Sequence, residues 1–513
     1  MRKPILLGVL ISLVPIGVIA DFYFSWRSAR EAWNARTLHM TLEQNRALPP
    51  ESPPRDLNTP LDPKMVAAGE QLFVHEWTPH DPLAGGDGLG PLYNATSCVV
   101  CHFQNGIGGS GGLAENVTTF AIVARVTDSK NFVPSAVVHN HSIPGRKDGL
   151  RDICTSLLDV KAANVQFPAA IQSTAATDAN QEVLVKIISQ RNSTALFGAR
   201  FIDAIPESAI FANVRPSDVG QRLATNSGRP PIAGRRKVGF DGKGGRFGWK
   251  AQIPNLAEFV REACANEIGL GNPQHPDSMV LFEIMLQGRT DDLTNYQCDL
   301  ITEFIASLPR PQERLPADSK VAADAIAGKR LFRTTGCADC HISDLGPVQG
   351  LYSDLLLHDM GKALEDCEGA GNRYAQGFLL TLSSPPPLAR EWRTPPLWGV
   401  ADSAPYLHDG RAATLEEAIR LHDGEGIQAR ERFERSNVDE KRQLLAFLGT
   451  LRAPVSAKKL PAAERARDES AAEFEVAQQS ATRLLLGGGF TLVLAGLAIR
   501  SRWRKPAGDS WPR

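Results

Sequence analysis

The sequence has almost no net charge. Its 56 lysines and arginines face 57 aspartates and glutamates, which leaves a formal charge of −1 at pH 7. A nucleic-acid-binding protein usually carries a strongly basic face or arm. We therefore expect no nucleic-acid partner. The remaining composition, with 42% hydrophobic and 22% charged residues, is that of an ordinary globular protein.

Long hydrophobic runs are scarce, and the two that occur lie near the termini. The first, from Pro4 to Ala20, follows the basic residues Arg2 and Lys3 and is typical of an export signal, either cleaved or retained as an anchor. The second, from Leu484 to Ile499, would span roughly 24 Å as a helix, slightly less than a ~30 Å hydrocarbon core. Basic residues after this second run place the C-terminus in the cytoplasm. We therefore predict an exported protein that is anchored in the inner membrane.

Cysteine is also scarce, but four of the eight cysteines fall in two copies of the pattern Cys-x-x-Cys-His. The two copies comprise Cys98, Cys101 and His102, and Cys337, Cys340 and His341. In this pattern the thiols attach a haem covalently and the histidine ligates its iron. A zinc knuckle and a thioredoxin-like pair are the alternatives, but neither fits the wide separation of the copies or the lack of a βαβ context. The sequence therefore predicts two covalently bound haem c groups, which again requires export.

The other four cysteines carry no such pattern. They are Cys154, Cys264, Cys298 and Cys367. In an oxidising compartment they could form disulfides, and they could equally be small buried side chains. The sequence leaves both interpretations open.

Proline-rich breaks divide the chain, and we predict a mainly α fold of two cytochrome c-like haem domains. These domains would have long loops and small β insertions and would be flanked by terminal hydrophobic segments. The predicted segments are a signal peptide or N-terminal anchor at 1–26, a Pro-rich spacer at 27–63, an N-terminal haem c domain at 64–308, a C-terminal haem c domain at 317–452, a helical stalk at 453–482 and a transmembrane anchor at 483–505.

Hydrophobic periodicity predicts a few elements within these domains. Helices are expected at 324–332, just before the second motif, and at 415–421, where Thr414 would be the N-cap. Residues 120–126 form the clearest strand pattern, and residues 183–188 are ambiguous between strand and helix.

The two halves also share a weak internal repeat. After each Cys-x-x-Cys-His motif comes an arginine-led segment that ends in glycine, at 191–198 and at 393–399. A helix opening follows, at 249–260 and at 408–419, with Leu256 matching Leu415. A duplicated haem domain is the simplest explanation.

Histidine is scarce, so the candidates for a second iron ligand form a short set. Two strong ligands make an electron carrier, whereas an open position makes a catalyst. The candidates are His39, His75, His80, His139, His141, His275, His358, His408 and His422.

Several motifs together resemble the dihaem oxidoreductase family, whose members are often labelled thiol oxidoreductases. The motifs lie at 352–361 (YSDLLLHDMG), 393–399 (RTPPLWG), 405–411 (PYLHDGR), 247–251 (FGWKA) and 198–205. The resemblance covers roughly residues 65–450. That family is similar in turn to bacterial dihaem cytochrome c peroxidases and to the dihaem enzyme of methylamine utilisation.

The resemblance implies roles for particular residues. In the peroxidases, a methionine ligand follows the motif that contains His408, and His422 takes its place here. Paired with His341, His422 would give bis-histidine ligation and a lower potential, with Met360 and His408 in reserve. Glu267 falls near the acid/base position of the N-terminal haem, although it could instead be a solvated glutamate at a helix end.

The resemblance also implies a peroxidase-like redox enzyme. Its C-terminal haem would accept electrons from a small donor, such as a soluble cytochrome or cupredoxin, and would relay them to the N-terminal haem. That haem has no assigned distal ligand, with His139 and His141 as candidates. The alternative is a non-catalytic electron-transfer cytochrome, tethered to the membrane by the C-terminal anchor. Whether a calcium ion lies between the domains is left open.

Overall fold

The structure is a computed structural model that describes residues 55–125, 134–143, 171–172, 183–215, 232–238, 243–275, 291–365, 370–371 and 390–458. Residues 54–237 and 244–513 form one compact unit, which includes both Cys-x-x-Cys-His motifs. A second unit takes in residues 1–53 and 238–243, of which only Val238 and Lys243 are described. The predicted terminal segments, most of the spacer and stalk, Cys154 and Cys367 lie outside the described residues.

The described part of the chain is rich in helix, as the sequence predicts. The α-helices are α1 (Pro63–Val74), α2 (Cys98–Cys101), α3 (Ala199–Asp203), α4 (Glu207–Phe211), α5 (Leu256–Ala263), α6 (Asn295–Ser307), α7 (Ser319–Thr334), α8 (Leu415–Arg420), α9 (Ile427–Arg435) and α10 (Val438–Leu448). None of the helices within the described ranges has the length and hydropathy needed to cross a membrane.

Strands form one larger sheet and three small pairs. They are β1 (Leu92–Tyr93), β2 (Val117–Arg125), β3 (Pro134–Val138), β4 (His141–Ser142), β5 (Ile171–Gln172), β6 (Val183–Arg191), β7 (Gln312–Glu313), β8 (Leu357–Asp359), β9 (Ala370–Gly371), β10 (Glu391–Arg393) and β11 (Leu451–Arg452). The larger sheet has the order β5-β6-β2-β3-β9, and β1 pairs with β4, β8 with β10 and β7 with β11. The long central strands β2 and β6 pair in antiparallel fashion. The first covers residues 120–125 of the predicted strand 120–126, and the second shows that the ambiguous segment 183–188 is a strand.

Helix starts follow from side-chain caps. Thr414 accepts a hydrogen bond from the Glu417 backbone N–H, as predicted for α8, and Asn255 accepts one from the Glu258 N–H at the start of α5. Such caps contribute about 1 kcal/mol each. The predicted helix openings at 249–260 and 408–419 are wrong in their first residues, because both helices begin only after these caps, at Leu256 and at Leu415. Leu256 and Leu415 nevertheless match as predicted, because each is the first residue of its helix.

The same helix crossing occurs in both halves. In the first half, Gly69 of α1 lies directly against the Leu300 backbone of α6. In the second half, Gly328 of α7 lies directly against the Gln443 backbone of α10. A Cβ at either glycine would overlap the facing carbonyl group, so only glycine allows the helices to approach this closely.

An aromatic pair packs one turn beyond each of these glycines. Phe73 meets Phe304 with ring centroids 5.1 Å apart in the first half. Phe332 meets Phe447 at 5.3 Å in the second half. Since each phenylalanine lies four residues after the residue at the close approach, the two crossings are equivalent. The structure therefore supports the duplication that the sequence predicts.

The arginine-led segments of the repeat end in the same backbone conformation. Gly198 has φ +76° and precedes α3, while Gly399 has φ +78° and precedes the short helix Val400–Asp402. A left-handed φ is costly for residues with a Cβ, and at Gly198 that Cβ would also lie 2.8 Å from Cζ2 of Trp398. The first half of the repeat therefore packs its glycine against the second half.

We predict that Gly198→Ala lowers the free energy of unfolding by more than the strain of a left-handed alanine, which is about 1–2 kcal/mol. Overlap with Trp398 should add about 1–3 kcal/mol. Gly350→Ala is the matched control, because Gly350 has φ +70° and no described atom would lie within 4 Å of its Cβ. Denaturant unfolding of the two variants measures the difference, and equal losses would contradict the close contact.

Candidate functional site

A cavity lies at each Cys-x-x-Cys-His motif. The first cavity, at the first motif, has a volume of about 130 Å³, and the second cavity, at the second motif, has a volume of about 340 Å³. The motif residues lining them are Cys98, Cys101 and His102 in the first, and Cys337, Cys340 and His341 in the second. The structure therefore brings each motif to the wall of a cavity, as haem attachment requires.

Each motif histidine is oriented by a hydrogen bond from its Nδ1 to a backbone carbonyl. His102 donates to Gly109 at 3.2 Å, and His341 donates to Tyr352 at 3.0 Å. Since a carbonyl oxygen only accepts, Nδ1 carries the proton and Nε2 keeps its lone pair. Burial also lowers the pKa of each of these histidines to about 4, so both are neutral at pH 7. A neutral imidazole with a free Nε2 is what an iron ligand requires.

Arg393 provides an independent test of the fit to haem. Its side chain lines the second cavity and is only 6% exposed. Its Nε donates to the Gly248 carbonyl at 2.8 Å, but Nη1 has no hydrogen-bond partner among the described residues. Burial lowers the pKa of Arg393 to about 10, which leaves it charged at pH 7. A buried cation of this kind needs an anionic partner, and a haem propionate would supply one.

A closed loop stands beside each cavity at equivalent positions of the repeat. Residues 247–253 and 406–412 are each closed by an antiparallel bridge between their end residues, and each loop is followed by the N-cap of α5 or α8. Trp249 and His408 are both the third residue of their loop. The structure therefore makes these two side chains counterparts, although their chemistry differs.

The two loops are held reciprocally by the arginine-led segments. The Asn192 N–H donates to the His408 carbonyl at 2.7 Å, and the Arg393 N–H donates to the Trp249 carbonyl at 2.9 Å. The Trp249 indole N–H in turn donates to the Asn192 carbonyl at 2.9 Å. The loop beside each cavity is therefore held by the arginine-led segment of the other half, and first-half residues such as Asn192 and Trp249 also line the second cavity.

Trp249 lies between the two cavities and lines both of them. Its ring makes an edge contact with His408, with centroids 6.5 Å apart. His408 stacks face to face on Trp392 at 3.6 Å. Sequence reasoning did not assign Trp249 a role, although aligning the two halves of the repeat on their loops places it opposite His408.

The position that His422 holds in the second half is alanine in the first. His422 lies seven residues after Leu415, and Ala263 lies seven residues after Leu256. Both line their respective cavities. The Nδ1 of His422 donates to the Ala418 carbonyl at 2.8 Å, so its Nε2 is also available as a ligand. The alanine methyl group cannot ligate a metal.

Glu267 lies in the first cavity, on the single π-helical turn Cys264–Ile268 that follows α5. Its Oε2 accepts a hydrogen bond from the Asn94 side-chain amide at 2.7 Å. The Asn94 backbone N–H donates to the Glu267 carbonyl at 2.7 Å, and the Asn94 Oδ1 accepts from the Asn140 N–H at 3.0 Å. The carboxylate is therefore oriented, and Asn94 is a contributor that the sequence analysis missed.

The remaining ligand candidates lie in different places, and three of them, His75, His80 and His275, line neither cavity. Met360 and His408 line the second cavity, whereas His139 and His141 do not line the first. The Nε2 of His139 donates to the Asn266 carbonyl at 2.8 Å. Both ring nitrogens of His358 bond to carboxylates, so the His358 ring has no nitrogen left to ligate iron. His39 lies outside the described residues. Besides His102, the described lining of the first cavity contains no histidine, methionine or tyrosine.

Two of the other cysteines lie in the core as unbonded thiols. Cys264 is 3% exposed and Cys298 is fully buried, and both belong to a hydrophobic core cluster to which both halves contribute. For this pair the structure favours the interpretation as small buried side chains.

Two equivalent cavities, each with a cysteine pair and an oriented neutral histidine, define the class as a protein with two haem c sites on a duplicated frame. Residues 152–451, more than half of the chain, match the family described as "Di-haem oxidoreductase, putative peroxidase". The chain belongs to this dihaem, peroxidase-like family. The match includes the second motif and begins after the first.

Individual relatives agree with this assignment. The chain is similar to the methylamine utilization protein MauG of Methylorubrum extorquens, with 31% identity over 220 residues, 41% of this chain and 52% of that protein. It is also similar to the cytochrome c551 peroxidase of Nitrosomonas europaea, with 32% identity over 140 residues, 27% of this chain and 37% of that protein. The chain thus matches about half or less of each relative's length.

Solved structures of low identity are also similar to this chain. One is a MauG-like protein associated with microbial copper homeostasis, with 16% identity, a TM-score of 0.35 and coverage of 79% of this chain and 94% of that one. Another is the diheme peroxidase BthA of Burkholderia thailandensis, with 14% identity, a TM-score of 0.35 and coverage of 80% and 99%.

We predict two haem equivalents per chain in the purified protein, measured as the pyridine haemochrome. The double substitution Cys98→Ala and Cys101→Ala should leave one equivalent, because the second motif remains intact. Cys298→Ala is the control, since Cys298 is a buried thiol of the same half outside the motif. One equivalent in the unaltered protein would contradict the assignment of two sites.

Proposed function

We propose that this protein is an exported dihaem redox enzyme with a peroxidase-like activity. Haem c would be attached at Cys98 and Cys101 with His102 as iron ligand, and at Cys337 and Cys340 with His341 as ligand. When bound, the two haems would supply electron transfer and peroxide reduction at iron. The observation that carries the proposal is the difference between two equivalent positions, with His422 at one and Ala263 at the other.

This difference assigns separate tasks to the two halves. In the second half, His341 and His422 would provide two strong ligands, which suits electron transfer at a low potential. In the first half, His102 would be the ligand on one side, while Ala263 leaves room for a small molecule on the other. A described lining without another histidine, methionine or tyrosine supports an open position there.

Glu267 is the proposed acid/base group of the first half. Peroxide reduction requires a proton at the departing oxygen, and a carboxyl group at the cavity wall could deliver it. The amide of Asn94 orients the carboxylate at 2.7 Å, and the Asn140 N–H fixes that amide in turn. Asn94 would therefore be a positioning residue for Glu267.

Trp249 is the proposed connection between the two halves. It lines both cavities, and its indole N–H is held by the Asn192 carbonyl. Electrons would enter at the second half from a small donor, such as a soluble cytochrome or cupredoxin, and would pass beside Trp249 to the first half. Export is supported by family membership and by the haem-attachment motifs, and a tether through the C-terminal hydrophobic run stays a further proposal.

The ligand asymmetry predicts one high-spin and one low-spin haem in the resting protein, measured by electron paramagnetic resonance. Ala263→His should convert the high-spin signal to low-spin and abolish peroxide turnover, because it supplies a second ligand. Ala263→Leu is the matched control, since it fills similar space without a ligand atom and should not create a low-spin signal. His422→Ala should have the opposite effect and produce a second high-spin haem.

Two low-spin haems that bind no cyanide in the unaltered protein would overturn the proposed enzyme. That result would indicate the non-catalytic electron carrier.

We predict that Glu267→Gln lowers kcat for peroxide reduction by about 10²–10⁴-fold, the range for losing a general acid/base group. Haem content and spin state should not change, because Glu267 is not an iron ligand. Glu258→Gln is the matched control, because Glu258 also accepts an asparagine amide, from Asn255 at 3.2 Å, but lines neither cavity. Steady-state turnover equal to that of the unaltered protein would exclude the acid/base role.

A further inference from the structure

A buried charge cluster lies beside the second motif and has no part in the proposed reaction. It consists of Asp354, His358 and Glu425, which we call the His358 triad. The Nε2 of His358 lies 2.9 Å from Oδ2 of Asp354, and its Nδ1 lies 2.8 Å from Oε2 of Glu425. The three residues are 2%, 3% and 8% exposed.

The geometry sets the charge of the triad. Carboxylate oxygens accept hydrogen bonds, so both ring nitrogens of His358 donate, and the ring is an imidazolium. Burial alone would lower the pKa of His358, but its hydrogen bonds to Asp354, Cys340 and Glu425 raise that pKa well above the ordinary value. The bond to His358 likewise lowers the pKa of Glu425 against the effect of burial. Two carboxylates and one imidazolium leave one net negative charge.

Backbone groups hold the triad in place. The Glu425 carboxylate also accepts the Ala233 N–H at 2.9 Å, and Asp354 accepts the Leu356 N–H at 3.0 Å. Gly234, with φ +69°, packs so closely that a Cβ there would lie 3.1 Å from Cε1 of His358. The site is therefore built from several segments, and a side chain at position 234 would press on the imidazole.

The triad is adjacent to the attachment point of the second haem. The Nδ1 of His358 lies 3.8 Å from the Cys340 sulfur, and the Asp354 N–H donates to the Cys340 carbonyl at 3.0 Å. His358 and Glu425 both line the second cavity. A charge at this position acts through a low-dielectric interior, where water screens it little.

We propose that the His358 triad holds a fixed negative charge against the Cys340 edge of the second haem and lowers the reduction potential of its iron. This inference rests on the proposed haem attachment at Cys340. One net negative charge nearby stabilises the oxidised iron, which carries one positive charge more than the reduced iron. The triad would thus reinforce the low potential that His422 ligation provides.

The same residues could be mistaken for a metal site. The ligand atoms of Cys340, Asp354 and His358 lie within 4.8 Å of one another, a grouping that can hold a metal ion. However, an imidazolium has no lone pair to offer a metal, and a thioether sulfur is no longer a thiolate. In the haem-loaded protein the cluster therefore acts through its charge.

The test measures the potential of each haem separately by spectroelectrochemical titration of the haem-loaded protein. Asp354→Asn and Glu425→Gln each remove one negative charge with little change in shape, while the remaining carboxylate keeps His358 charged. Each variant should shift the reduced-to-oxidised ratio of the second haem about tenfold toward reduced at a fixed potential, which is about 59 mV for one electron. The first haem should not shift.

Asp292→Asn is the matched control. Asp292 is also buried and accepts two backbone N–H groups, from Gly88 at 2.9 Å and Gly271 at 2.8 Å, but it lies in the first half. It should leave the second haem unchanged. If neither triad variant moves the second haem's potential, or if metal analysis finds an ion bound in step with the triad, the inference is overturned.

Because haem content and potentials are measured without peroxide, this result is independent of the proposed enzyme activity. Two haem equivalents with unshifted potentials would contradict the triad alone. Absence of the second haem would contradict the attachment site on which both proposals rest.

Discussion

The reciprocal hydrogen bonds between the two halves are the constraint on which the rest of the site depends. Asn192 of the first half holds the loop of His408, and Arg393 of the second half holds the loop of Trp249. Buried backbone groups must be hydrogen-bonded, so breaking these bonds without replacing them would cost free energy. They fix the two cavities on either side of Trp249. A chain cut between the halves would therefore lose both loop supports, and the second cavity would lose the part of its wall that the first half supplies.

On this shared frame, two equivalent positions beside the cavities differ in their chemistry. The glycine-based helix crossings, the phenylalanine pairs and the Nδ1–carbonyl bonds of His102 and His341 are common to both. The residue seven positions after the first residue of the following helix differs, as does the third residue of each loop. The different tasks of the two halves in the proposed enzyme would come from these differences, because the common features only pack the helices and orient the motif histidines. Duplication followed by divergence at the cavity wall accounts for both.

The sequence predicts those features that are local along the chain. The Cys-x-x-Cys-His motifs, the Thr414 cap and the strand predicted at residues 120–126 depend on neighbouring residues, and the structure contains the motifs, the cap and a strand at Val117–Arg125. Roles that depend on distant segments were not predictable in the same way. His358 was only one of nine ligand candidates, since its partner Asp354 is four residues away but Glu425 is 67 residues away. The second bond is what converts the ring from a candidate ligand into a buried cation.

The charges around the second cavity bear on the direction of electron flow. A relay from the second half to the first requires that the second haem give up its electron readily, and it does so if its reduction potential is low. Histidine as second ligand and the net negative charge of the His358 triad both act in that direction. Arg393 would act in the opposite direction if it were alone, because its cation favours the reduced iron. A haem propionate paired with Arg393 would offset that effect, while the triad would keep its net negative charge beside the attachment site. The electrostatics of the second half are thus consistent with an electron-donor site. They depend on two kinds of buried charge: His358 is paired with carboxylates of the protein, whereas Arg393 would be paired with a haem propionate.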